Sequence, residues 1–121
     1  MKDVDFSELK GETLKATTGM HDGSEKVEFV TESGRTFTLY HGQDCCESVD
    51  LNEVVGDPAD LIGSPITMAE ESSNSDNPPG EYAESWTWTF YKLATVKGHV
   101  TLRWLGQSNG YYSESVTFVE D

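Results

Sequence analysis

The chain has 121 residues, of which 22 are Asp or Glu and 8 are Lys or Arg, giving a formal net charge of -14. That length fits one domain, residues 1–121, with a modest core. So acidic a surface repels phosphate backbones and anionic headgroups, which excludes ordinary direct nucleic-acid binding and membrane binding. Solubility is its plain consequence, and mimicry of a nucleic-acid surface its sharper one.

The opening MKDVDFSELK carries acids and no apolar h-region, and no run of residues approaches a membrane span. The expectation is a soluble protein in the cytoplasm of the host cell. Phe6 and Leu9 form a short lead-in, and Thr13 to Thr18 is β-prone. His21-Asp22-Gly23 signals a turn. Val27 to Thr31 reads as a strand, Ser33-Gly34 as a hairpin turn, and Arg35 to His41 as the returning strand. Val27 and Phe29 share one face, as do Phe37 and Leu39. The first third is therefore a three-stranded meander.

The patch GQDCCE comes next, at Gly42 to Glu47. In a reducing cytoplasm Cys45 and Cys46 are expected as free thiols. Neighbours on a strand point to opposite faces, so one packs inward and the other faces out or into an interface. Zinc needs more ligands at suitable spacing, so no metal or other cofactor is predicted. Asp57 before Pro58 caps a single helical turn containing Leu61 and Ile62. Ile66 to Ala69 is a strand. Glu70 to Glu81, EESSNSDNPPGE, is acidic and poor in apolar residues, and reads as a mobile acidic surface loop within the same domain.

Trp86 to Phe118 reads as three consecutive strands joined by turns at Lys97-Gly98 and Asn109-Gly110. Period-two alternation puts Trp86, Trp88 and Phe90 on one face of the first strand. It groups Val100, Leu102 and Trp104 on the second strand, and Tyr112, Glu114, Val116 and Phe118 on the third. These aromatic faces suit a core. The opposite faces, with Thr87, Thr89, Tyr91, Arg103, Tyr111 and Ser113, suit a wet surface or a ligand floor. The fold class is all-β or β-rich α+β: two antiparallel meanders in a small barrel or sandwich, with one short helical turn. The hydrophobic share of 36% and the exposed strand edges point to a homo-oligomer.

Four blocks stand out: His41 with Gln43 to Glu47, Gly56 to Gly63, Thr89 to Gly98, and Ser108 to Glu114. They resemble the blocks H-x-Q-D-C-C-E, G-D-x-x-D-L-x-G, T-F-Y-K-x-A-T-x-x-G and S-N-G-Y-Y-S-E of a family of small proteins of unknown function, found mainly in bacteriophages and some bacteria. The resemblance covers nearly the whole chain and implies a phage accessory role outside the virion. It carries no chemistry with it.

Three patches are candidates for function. In the first, His41, Gln43 and Asp44 surround the cysteines. A Cys-His nucleophile pair needs thiolate and base within hydrogen-bond reach. Asp44 and Glu47 oppose thiolate formation, which favours packing and turn hydrogen bonds. In the second, Asn109, Tyr111, Tyr112 and Glu114, with Arg103 and Trp104 beside them, offer stacking surfaces and hydrogen bonds to a planar ligand. Arg103 supplies the positive charge that an anionic nucleotide needs. Glu114 on an apolar face calls for a partner: Arg103, Lys92 or a ligand amine. The third, Asp57 and Asp60, lacks the remaining spacing of a calcium loop and reads as a solvated cap.

The sequence therefore predicts a non-enzymatic binding protein of phage accessory type, a counter-defence binder of a small nucleotide signal or of a host protein. The alternatives are an acidic nucleic-acid-mimic decoy of a host protein and an enzyme using the Cys45/Cys46 patch.

Overall fold

The computed structural model describes residues 1–121, and its regular structure is strand apart from two single 3-10 turns. One sheet has the order β1 (Lys2–Asp3), β9 (Thr117–Glu120), β4 (Thr36–Tyr40), β3 (Lys26–Thr31), β2 (Leu14–Thr18). The other has the order β5 (Ser48–Val55), β8 (Gly98–Ser108), β7 (Ser85–Thr95), β6 (Met68–Asn74). Every strand pairing within them is antiparallel. The two sheets stay separate, so the architecture is a small sandwich and not a barrel, within the β-rich class that the alternation predicts. The expected meander of β2, β3 and β4 is present.

The inner faces meet in one cluster. Val27, Phe29, Phe37 and Leu39 come from the first sheet, and Tyr91, Leu93, Leu102 and Trp104 from the second. Phe6, in the turn Phe6–Leu9, packs its ring 4.7 Å from Tyr91 and 5.1 Å from Phe118. The other turn, Pro58–Leu61, forms where predicted: the Asp57 carboxylate accepts the Ala59 N–H at 3.0 Å, and Leu61 is buried beneath it. Asp57 is thus a cap, as the plain reading of GDxxD has it.

The closing meander differs from expectation. β7 and β8 form the predicted hairpin through Lys97-Gly98, but no third strand returns beside β8. Asn109-Gly110 opens an irregular segment that crosses to the other sheet, where β9 pairs with β4 and β1. Local alternation cannot distinguish a returning strand from one that changes sheets.

The faces of β7 are also reversed. Register pairs Thr89 with Trp104, Tyr91 with Leu102 and Leu93 with Val100, so the Thr/Tyr/Leu face enters the core. Trp86, Trp88 and Phe90 lie half-buried on the outer face. They stay there because their needs are met locally: both indole N–H groups donate to the Asp76 carbonyl, at 3.1 and 2.8 Å. The segment expected as one mobile loop, Glu70 to Glu81, is therefore two things. Glu70 to Asn74 belongs to β6, paired to β7 across its length, while Asp76 and Asn77 beyond it are pinned to the two tryptophans. Backbone pairing along β7 supplies the order that the side chains of this segment lack.

Candidate functional site

One end of the sandwich collects polar groups from three distant parts of the chain. The inner face of β7 is apolar at Tyr91 and Leu93 but continues as Thr89, Thr87 and Ser85. This row of hydroxyls lies on the same face by period-two geometry. Opposite them runs the irregular segment after β8. Together they line a cleft of about 330 Å³, with Glu71 and Ser73 of β6 on its flank and Tyr112, Ser113 and Glu114 on its far wall.

Glu114 is anchored from both sides. Its carboxylate accepts the Thr87 hydroxyl at 2.8 Å and the Ser108 hydroxyl at 2.5 Å. Burial alone raises its pKa, but the hydroxyls of Ser108, Ser85 and Thr87 together outweigh burial and hold it below the ordinary value, so it is an anion. Its backbone lies directly over Gly106: a Cβ there would meet the Glu114 carbonyl oxygen at 2.3 Å. The residue that looked out of place on an apolar face is thus on the inner side of the sandwich. Its partners are hydroxyls, not Arg103 or Lys92.

The second cluster closes the same end. His41 contacts the Ser115 carbonyl through Nδ1 at 2.6 Å and the Glu47 carboxylate through Nε2 at 2.7 Å. The ring is thus held at both nitrogens, between a backbone carbonyl and a buried carboxylate. Glu47 is buried and also accepts the backbone N–H groups of Asp44 and Cys45, at 2.8 and 2.9 Å. The His41 contact first, then these backbone donors, hold the Glu47 pKa down to about 2 against the effect of burial. Gln43 completes the knot, its amide donating to the Glu47 carbonyl at 2.6 Å. The Asp44 side chain is exposed and contributes only through its backbone.

Cys45 and Cys46 are joined to each other, which corrects the expectation of free thiols. The strand premise fails here: the two residues sit in a bend outside any strand, both exposed, so the opposite-face rule does not apply and neither packs inward. His41 is engaged at both nitrogens, and no thiol faces it.

Arg103 and Trp104 stand apart from the cleft. Trp104 is fully buried in the core. Arg103 lies on the outer face with Nη2 bound to Asn52 at 2.9 Å and Glu53 at 2.8 Å, and its guanidinium sits 4.8 Å from the Trp88 ring. The grouping of Arg103 with the tyrosines fails because the segment after β8 does not return beside it, and β5 holds that edge instead. Asn109 accepts the Tyr111 N–H at 3.0 Å in an Asx turn, and Tyr111 projects into solvent with its ring edge-on to Tyr112. Of the residues singled out, Tyr112, Glu114 and His41 with its Gln43 meet at this end. Thr87 was read only as part of a wet face or ligand floor and Ser108 only as the start of a block, and neither was linked to Glu114; Gly106 was missed, although the S-x-T-x-T pattern of Ser85 to Thr89 was a readable sign of a hydroxylated face.

Residues 7–118 match a family described as a domain of unknown function (DUF7448), and the chain belongs to that family. No curated protein and no solved structure matches it.

Proposed function

We propose that this member of the family is a non-enzymatic binding protein of phage accessory type, whose ligand or partner docks in the cleft at the Glu114 end. One observation carries the reading. Residues far apart in sequence converge there: His41, just before QDCCE, meets Ser115, just after SNGYYSE, and Thr87 of β7 meets Glu114, which Ser108 holds from within its own block. A sandwich does not need a hydroxyl-lined inner face to be stable, so an open polar cleft there points to recognition. The phage assignment rests on the resemblance of the four sequence blocks. The counter-defence version, capture of a small signal or a host protein, derives from that origin.

The geometry argues against the nucleotide version through Arg103, because that guanidinium is already partnered by Glu53 and Asn52 on the outer face. It also gives the enzyme alternative little support, since the cysteines are bonded to each other and His41 is held at both ends. The decoy alternative draws on the formal charge of -14. Such a complex would weaken steeply with salt.

Native mass spectrometry of the protein purified from infected cells tests the reading. The expected result is a bound species on the wild type that is lost from Tyr112→Ala and Glu114→Gln. A bare chain, or a species retained by both variants, sinks it.

A further inference from the structure

We propose that Cys45–Cys46 is a thiol-exchange site: a soluble dithiol reduces it in the folded protein, and its state sets the contacts that run from Glu47 through His41 to Ser115. The bond joins neighbours in sequence, in a bend outside any strand, and both cysteines are exposed. A disulfide stabilises a fold mainly by constraining the unfolded chain, and the gain grows with the loop it closes. Adjacent cysteines close the shortest loop a chain allows, so this bond does little as a staple. Exposed disulfides are open to an attacking thiolate and belong to the labile, regulatory class. The chain has no other cysteine, so the pair has two clean states and nothing to reshuffle with.

The bend is tied to the end of the sandwich. The Glu47 side chain is fully buried, and its two oxygens accept the N–H groups of Asp44 and Cys45 at 2.8 and 2.9 Å. The oxygen that takes the Asp44 N–H also meets His41 Nε2 at 2.7 Å, and His41 Nδ1 meets the Ser115 carbonyl at 2.6 Å. Gln43 braces the other side, its amide donating to the Cys45 and Glu47 carbonyls at 3.2 and 2.6 Å. The Cys45–Cys46 peptide is part of the ring that the S–S bond closes. Opening that ring frees the bonds on either side of the peptide to rotate, and the Cys45 N–H loses its fixed aim at Glu47. Ser115 lines the cleft, so the change reaches the cleft wall.

The exchange balances with a dithiol as the reductant. Its thiolate attacks one exposed sulfur, the S–S bond breaks, and a mixed disulfide forms while the other cysteine leaves as thiolate and takes a proton. The second thiol of the reductant then attacks the mixed disulfide and frees the first cysteine. The dithiol ends as its own disulfide, and the cysteine pair has gained the two electrons and two protons it gave up.

The test treats the full chain with dithiothreitol under native conditions, then with oxidised glutathione, and reads iodoacetamide labelling by intact mass alongside amide chemical shifts. Neither cysteine should take the label before reduction, both should take it afterwards, and glutathione should restore the unlabelled state. Reduction should move the amides of His41, Glu47 and Ser115 and leave those of β3 and β4 in place, with cooperative thermal unfolding kept. The double variant Cys45→Ser, Cys46→Ser should show the reduced pattern at His41 and Ser115 and no response to dithiothreitol. Labelling that needs no reductant even after glutathione, or that needs denaturant as well, overturns the proposal. So does loss of cooperative unfolding on reduction, which would make the bond a staple, and so do shifts confined to the cysteines themselves. No ligand enters the test, so its failure leaves the binding reading of the cleft standing.

Discussion

The backbone of Glu114 passes so close over Gly106 that no side chain fits between them: a Cβ on residue 106 would lie 2.7 Å from the Cβ of Glu114 as well as against its carbonyl. Gly106 pairs with Thr87 across β7 and β8, so the glycine, the threonine and the glutamate form one stack at the end of the sandwich. Gly106→Ala should therefore do two things. Overpacking against backbone costs about 1–3 kcal/mol, visible as a lower urea midpoint with unchanged slope. It should also break the Thr87–Glu114 hydrogen bond, so that amide shifts of Thr87 and Ser108 move while those of β3 and β4 do not. A variant as stable as the wild type would contradict the close approach.

Glu47 gives the molecule an acid limb. Its folded pKa of about 2 lies below the ordinary 4.5, so folding favours the ionised form. The contribution is fully present above about pH 4.5 and is lost as pH falls through 4.5 toward 2. Glu47→Gln should lower the melting temperature at pH 7 and flatten its decline across that window. Parallel melting curves for the two proteins from pH 6 down to pH 2, an interval chosen to span the shift, would show instead that Glu47 is not what titrates.

These two sites show how far the sequence could be read. Strand period and turn signals gave β2, β3, β4 and the β7–β8 hairpin, because each is decided by residues a few positions apart. The Asp57 cap was legible for the same reason. The faces of β7 were not, because Trp86 and Trp88 look like core residues until the Asp76 carbonyl is seen to satisfy their N–H groups. Glu114 was legible as an anomaly but not as part of a cleft, since its partners Thr87 and Ser108 depend on a chain segment that leaves one sheet for the other. Cys45 and Cys46 were read as free thiols from an assumed reducing compartment, and as facing opposite ways from a strand that is absent.

The outer tryptophans make a separate prediction. Trp88 Nε1 donates to the carbonyls of Asp76 and Asn77, at 2.8 and 3.0 Å, while its ring carries Arg103. Trp88→Phe keeps an aromatic face for the guanidinium and deletes the donor. Stability should fall by only about 1 kcal/mol, the net value of such a bond. The loop after β6, however, should lose its tether. Limited proteolysis should then cut between Asp76 and Ala83 faster in the variant, with β6 still protected. Unchanged cleavage would mean that Trp86 alone holds the loop.

Arg35 is the structural residue that the sequence least announced. It joins three carboxylates from separate elements: Glu120 of β9 at 2.8 Å, Glu12 at 2.8 Å and Glu8 at 3.4 Å, while its guanidinium lies 4.8 Å from the Phe37 ring. Hydrogen bonding to Glu120 and then Glu12 raises the Arg35 pKa further, and Arg35 in turn holds Glu120 below its ordinary value. Arg35→Met keeps the apolar stem over Phe37 and removes the charge, leaving three acids facing one another without a cation. The variant should melt lower at neutral pH. Glu120 has a depressed folded pKa, so the wild type gains from it above the ordinary carboxylate range and loses that gain on acidification. The gap between the two proteins should accordingly narrow as pH falls below about 4.5. It should also narrow in high salt, since the cluster is partly exposed and screened. A gap that is constant across pH and salt would assign the loss to packing on Phe37 and not to the charge cluster.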